Sequence, residues 1–292
     1  MSNPNIGIIG FGFVGSAVAH GFSGATGFEA NIRIYDKDKT RSSSTLDEVV
    51  NQSEIVFISV PTPAKEDGSM HLDILENCLE EISSVTDNKD TIFLIRSTIV
   101  PGTSERLSSR FKKLKIVFNP EFLTERTAKL DFINQSRVIL GGSKENTEVV
   151  ANLYKKRFGN SMPIIETSYE TAELIKYACN NFFATKISFL NEMRLVSDRV
   201  NADWETVIDG FLRDGRIGHS HANVPGHDGK FGFGGACFPK DTFALLNLST
   251  RINSEFSVLK EVIKVNNKIR TKYDSLDERE KEQGVNFKID LK

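Results

Sequence analysis

The chain has 292 residues, with 39 acidic and 37 basic side chains and a net charge of −2. That length accommodates two domains or one large one around a substantial core. The balanced, scattered charge excludes a global basic field for nucleic acid or anionic lipid, and no apolar run approaches the roughly 20 residues that span a bilayer. The apolar run after Met1-Ser2-Asn3-Pro4-Asn5 is broken by glycines and has no basic segment ahead of it, so no signal peptide is expected. Three cysteines, at 78, 179 and 237, lack CxxC spacing. That argues against a disulfide framework or a zinc site and suits a reducing cytoplasm.

In chain order, short apolar runs predict strands at Ile6–Ile9, Ile32–Tyr35, Ile55–Val60, Ile92–Ile95, Ile116–Phe118, Val138–Gly141 and Pro163–Ile165. Between them, Leu72, Leu75, Leu79 and Ile82 recur at helical spacing, as do Val149, Leu153 and Phe158. This alternation is the pattern of βαβ units and a parallel sheet. From Tyr169 to about Val200 the spacing predicts one long helix without proline or glycine, apolar on more than one face, of the kind that joins domains or forms a dimer seam. A second helix follows at Asp203–Leu212, then a glycine- and histidine-rich loop at Gly215–Gly235, then helical pattern from Thr242 to about Glu282. A helix is expected to begin at Lys240–Thr242. The strict alternation of Val285–Leu291 reads as a short strand, able to add to a sheet edge. The expected domains are 1–167 and 168–292.

The run Gly10-Phe11-Gly12-Phe13-Val14-Gly15 follows the first strand and opens a helix, and Asp36 ends the second strand about 20 residues on. Gly10 permits the tight turn, Gly12 lets a pyrophosphate approach the backbone, and Gly15 lets helix and strand pack closely. The helix N-terminus then offers N–H groups to the phosphates. Asp36 is placed to accept from the ribose hydroxyls and to repel a 2′-phosphate, favouring NAD over NADP, although Lys37 and Lys39 weigh the other way.

Further along, four stretches resemble the UDP-glucose/GDP-mannose dehydrogenase family: Arg96-Ser97-Thr98-Ile99-Val100-Pro101-Gly102-Thr103, Asn119-Pro120-Glu121-Phe122-Leu123-Thr124-Glu125-Arg126-Thr127-Ala128, Ala172-Glu173-Leu174-Ile175-Lys176-Tyr177-Ala178-Cys179-Asn180-Asn181, and Gly232-Phe233-Gly234-Gly235-Ala236-Cys237-Phe238-Pro239-Lys240-Asp241. With the glycine run and Val60-Pro61-Thr62-Pro63 they keep the family's order. The resemblance implies an α/β fold, with an N-terminal Rossmann doubly wound parallel sheet followed by a long central helix and a helical domain. It implies a four-electron oxidation of a nucleotide sugar, the C6 alcohol becoming a carboxylate with two NAD reduced.

On that resemblance Cys237 is the nucleophile that attacks the intermediate aldehyde, and Asp241 is an acidic partner orienting Lys176 or a water. Lys176 and Asn180, four apart on the long helix, share a face and are placed to hold a developing oxyanion. Thr98 and Glu125 match residues that position the hydrolytic water, and with Thr62 they border the cofactor. Glu121, Phe122, Leu123, Arg216, Phe231, Gly232 and Gly234 match substrate-side positions, Arg216 reaching the sugar in several members from a neighbouring subunit. Cys78 and Cys179 read as packing residues. His219, His221 and His227 share one loop, but it matches the family's substrate loop and no metal is assigned. A homodimer is expected, with the long helix as its seam. Family members usually carry a third domain that clasps the nucleotide base; the sequence runs out where it would begin, so base recognition is expected to fall to a partner chain, to be weak, or to give way to a smaller sugar phosphate. Two other readings stay open: a β-hydroxyacid or 6-phosphogluconate-type dehydrogenase, which shares the Lys-x-x-x-Asn pair but needs no cysteine, and a catalytically idle NAD-binding dimer.

Overall fold

The computed structural model describes residues 3–273 and 275–289. The chain folds as two compact units. The first runs to Thr62 and resumes over His71–Lys176; the second takes Pro63–Met70 and the chain from Tyr177 onward. By compactness the division thus falls inside the long helix, and a short excursion between strand and helix goes to the second unit.

In the first unit the strands are β1 (Asn5–Ile9), β2 (Asn31–Tyr35), β3 (Ile55–Ile58), β4 (Ile92–Ile95), β5 (Lys115–Phe118), β6 (Val138–Gly141) and β7 (Ile164–Thr167). They form one sheet in the order β2-β1-β3-β4-β5-β6-β7. Its helices are α1 (Phe13–Gly21), α2 (Leu46–Asn51), α3 (Asp73–Val85), α4 (Thr103–Arg110), α5 (Ala128–Ile133), α6 (Lys144–Phe158) and the start of α7 (Tyr169–Arg199). Strands β3, β4 and β6 are apolar throughout and buried at every position, as a sheet covered on both faces requires. On one face Val49, Leu75, Leu79, Ile82, Phe93 and Leu107 pack together; on the other, Ala17, Val18, Phe22, Phe57, Phe132 and Tyr154 do.

Two details differ from expectation. The sheet is not wholly parallel: β6 meets β5 antiparallel through the single pair Phe118↔Gly141, and β7 then follows β6 in parallel. The inward face of α6 is set by Thr147, Val150, Ala151, Leu153 and Tyr154, with Phe158 packed against the same core, while Val149 is 47% exposed. Leu153 and Phe158 thus lie on the expected inward face, and of the three apolar positions Val149 alone stands outside it.

In the second unit, the rest of α7 is joined by α8 (Trp204–Leu212), α9 (Phe238–Arg251), α10 (Ser257–Arg270) and α11 (Glu278–Glu282). Asp203 caps α8 by accepting the Glu205 and Thr206 N–H groups. The 63–70 excursion is tied in by Ala64 N–H donating to Gln283 O at 2.9 Å and by Asn247 Nδ2 donating to Asp67 O at 3.1 Å. Residues 285–289 form no strand, and Asp290 and Leu291 lie outside the described residues. Val285 and Phe287 are nonetheless buried, so the alternation marks burial without marking a strand. No helix among the described residues is long and apolar enough to cross a membrane.

Candidate active site

The glycine run is built as a phosphate turn. Gly10 has φ +86°, and a Cβ there would stand 2.7 Å from Ser59 O; one on Gly15 would stand 2.1 Å from Gly10 O. A Cβ on Gly12 meets nothing within 4 Å, so that position faces open space. Gly12 is also the N-cap of α1, and no side chain caps it. Asp36 Oδ2 accepts the Phe11 N–H at 2.6 Å while Oδ1 accepts that of Asp38 at 2.9 Å. Phe11 and Phe13 lean on the core, and Val14 is half-buried. Open space in front of an uncapped helix start, with a carboxylate at its flank, fits a dinucleotide's pyrophosphate and ribose.

Beside it, the loops after β3 and β4 are stitched together. Thr62 Oγ donates to Thr98 O at 2.8 Å, and Ser97 Oγ donates to Val60 O at 2.7 Å. The turn after β5 is anchored by Asn119. Its Oδ1 accepts from Arg96 and from the Tyr154 hydroxyl, and its Nδ2 donates to Ile139 O at 2.8 Å. Glu121 is thereby fixed for Lys176, whose Nζ donates to Glu121 O at 2.5 Å and Oε1 at 2.8 Å, both side chains being about 5% exposed or less. Lys176 is therefore a buried, paired ammonium and not a solvated helix lysine. Glu121 Oε2 accepts the Leu123 N–H, and Lys176 also lies 5.5 Å from the centre of the Phe122 ring. Glu125 opens an exposed 3₁₀ turn.

Glu173, one turn before Lys176, has a role that its position in the sequence does not reveal. Its carboxylate accepts the Gly102 and Ser104 N–H groups at 2.6 and 2.7 Å and so caps α4. Burial pushes it up to about 7, against the pull of those N–H groups.

In the second unit, Cys237 is itself the N-cap of α9, which begins at Phe238 with Pro239 in its first turn, ahead of the expected start at Lys240–Thr242. Within this unit Asp241 is held by Asn180 Nδ2 donating to Oδ2 at 2.6 Å and Lys240 Nζ donating to Oδ1 at 2.7 Å. All three side chains are buried. Nothing in the sequence signals the Lys240 role, because no spacing rule links adjacent residues of opposite charge to a shared site. Arg216 is exposed, with its guanidinium on the Asp214 carboxylate at 2.9 and 2.5 Å. Phe231 N–H donates to the Tyr273 hydroxyl at 2.9 Å, and Gly232 and Gly234 sit against Asn266 and Arg270.

His221 stacks on Phe183 with ring centres 4.1 Å apart; burial holds its imidazole below the ordinary range, helped by Lys186 and His227. Among the described residues no group of three or more His, Cys, Asp or Glu side chains is placed to hold a metal. The three cysteines form no disulfide, and burial pushes the Cys78 thiol up to about 12, an inert core position.

Known proteins share this architecture. Residues 28–158 match the NAD binding domain of the UDP-glucose/GDP-mannose dehydrogenase family, and residues 170–268 match its central domain. A UDP-glucose 6-dehydrogenase of Bacillus subtilis, YwqF, is 37% identical over 224 residues, 74% of this chain and 49% of that protein. One from Rickettsia felis is 32% identical over 299 residues, 90% of this chain and 64% of its own length. The chain thus spans about half to two thirds of these relatives. The solved UDP-glucose dehydrogenase of Pyrobaculum islandicum superposes with a TM-score of 0.79 at 27% identity, covering 91% of this chain and 68% of that one. With both of its domain models matched in order, the chain belongs to the UDP-glucose/GDP-mannose dehydrogenase family and carries that family's NAD-binding domain.

Proposed function

We propose that this protein is an NAD-dependent nucleotide-sugar 6-dehydrogenase that oxidises the C6 alcohol to a carboxylate through a thioester on Cys237. The observation that carries the reading is the buried Asn180–Asp241–Lys240 cluster immediately behind a cysteine at a helix N-terminus. An isolated packing cysteine has no need of such a cluster, whereas a thiolate gains from the N–H groups of the helix start.

NAD, when bound, supplies the hydride acceptor. In the first oxidation the Lys176 ammonium, held by Glu121, steadies the developing oxyanion at C6, where its charge counts most in a dry site. In the second, the Cys237 thiolate adds to the C6 aldehyde to give a thiohemiacetal. That carbon then gives up its hydride, leaving a thioester. A water positioned by Glu125 and Thr98 attacks the thioester, and Cys237 leaves as the thiolate with the carboxylate formed. Asp241, fixed by two donors, is placed to relay protons at this centre. Arg216, exposed on its loop, is assigned to the sugar of a neighbouring copy, and Glu121–Leu123 and Phe231–Gly234 to the substrate side. The thiol chemistry suits a reducing, cytoplasmic setting.

The test is NADH production with UDP-glucose, GDP-mannose and related sugar nucleotides. Two NADH per sugar are expected, and Cys237→Ser should abolish uronate formation. One NADH per substrate, or full activity in Cys237→Ser, would refute the covalent scheme.

A further inference from the structure

The loop leading to Cys237 spends its backbone donors in an unusual way. Gly232 N–H donates to Asn191 Oδ1 at 2.9 Å, Phe233 N–H to Asn266 Oδ1 at 2.7 Å, and Gly235 N–H to Glu280 Oε1 at 3.0 Å. Side chains from three different helices therefore replace the ladder that a regular element would provide. The Glu280 oxygen that receives Gly235 also accepts Arg270 Nη2 at 2.9 Å, and Arg270 Nη1 donates to Asp228 Oδ2 at 2.7 Å. The Arg270 and Glu280 side chains are 2% and 1% exposed, so this is a buried ionic support and not a surface bridge.

The glycines fit this support closely. A Cβ on Gly234 would stand 2.1 Å from Arg270 Nη2 and 2.6 Å from Glu280 Oε1, and one on Gly232 would stand 2.6 Å from Asn266 Oδ1. Gly232 and Gly234 are therefore required on the buried side of the loop, where the backbone lies flat on the ion pair, while Gly235 supplies φ +74° with open space around it. Both charged residues lie beyond the 170–268 stretch that matches the family's central domain.

We propose that Arg270 and Glu280 are positioning residues for Cys237: the buried pair fixes Gly234–Gly235 and so sets where the thiol stands at the start of α9. The inference rests on Cys237 being the nucleophile, but its test uses neither sugar nor NAD. Alkylation of Cys237 by iodoacetamide, followed by peptide mass spectrometry across pH, reads the thiol's reactivity. Hydrogen exchange of peptides covering 232–237 reads the loop.

In Glu280→Ala, loop exchange should rise by about tenfold or more and the alkylation profile should shift along the pH axis, while peptides of the first unit exchange as in the wild type. Glu280→Gln, which keeps an acceptor for Gly235 but loses the charge, should fall between. Wild-type exchange and alkylation in a folded Glu280→Ala would overturn the proposal, as would a uniform rise throughout the second unit. If Glu280→Ala does not fold, Glu280→Gln is judged by the same two measurements, and wild-type behaviour there overturns it equally. Wild-type protein that turns over no sugar nucleotide would sink the proposed function and leave these loop measurements to stand by themselves.

Discussion

At the scale of single residues, the Asp36 carboxylate, proposed to accept from the ribose, also accepts the Phe11 and Asp38 N–H groups. Its place after β2 is legible from the sequence as a ribose acceptor; its bond to Phe11 N–H, which ties β2 to the glycine turn, is not, because the partner is a backbone group about 25 residues away. Replacing Asp36 with Ala should therefore do two things. It should raise the KM for NAD relative to NADP, and it should cost about 1–3 kcal/mol of stability as the Phe11 N–H loses its acceptor. Parallel turnover assays and thermal melts check this, and a wild-type preference for NADP would remove the ribose role. The same contrast runs through the site. Cys237, Lys176, Asn180 and Asp241 stand out by motif, whereas Asn119, Glu173, Lys240, Arg270 and Glu280 acquire a purpose only once burial and partners are known. Lys176→Ala leaves Glu121 buried without its cation, and a loss of about 3–5 kcal/mol in denaturant titration is expected.

At the scale of elements, local pattern served well where burial and period coincide. The seven described strands lie within a residue or two of their apolar runs, most closely β4 and β6, whose complete burial leaves an apolar run little else to be. It failed where tertiary packing decides: the outward-facing Val149 of α6, the antiparallel junction of β5 and β6, and the coil at 285–289, whose Phe287 ring is covered by Arg270. The turn into α1 gives a clean pair of variants. Gly15→Ala forces a methyl against Gly10 O and should lose about 1–3 kcal/mol, whereas Gly12→Ala should melt like the wild type yet bind NAD about tenfold or more weakly. Equal melting of both variants would contradict the role given to the turn.

The junction of α4 and α7 is set by Glu173. Its pKa stands at about 7 in the fold against an ordinary 4.5, so the folded state holds a proton that the unfolded chain has released between those values. Its contribution is then full below about pH 4.5 and lost as pH rises through about 7, up to about 3 kcal/mol. Glu173→Gln, neutral throughout, should show no such decline, so wild type should lose stability relative to this variant from pH 5 to pH 8. Parallel pH profiles for the two would refute it.

At the scale of the whole molecule, the question is what covers α7. Phe182, Phe189, Met193 and Val196 are exposed, Phe182 at 66%, and their spacing places them along one face of the helix, with Val200, also 66% exposed, just past its end. The unit's own interior uses other positions, among them Ala184 and Leu190. An apolar stripe of this length is a liability in a lone chain, and it is where the proposed homodimer would meet. In the proposed dimer a second copy laid against the same stripe would bury it on both sides about a two-fold axis, and the exposed Arg216 would act in the neighbouring site. Light scattering should give twice the chain mass, and Phe182→Glu with Phe189→Glu should give a monomer; a wild-type monomer at assay concentration would end the idea. Sharing of the site is read separately by mixing Arg216→Ala with Cys237→Ser, each inactive alone. If Arg216 acts across the interface, a mixed dimer has one complete site, and random exchange should restore roughly a quarter of wild-type activity. If it acts within its own chain, no site in the mixture holds both residues, and exchange restores nothing.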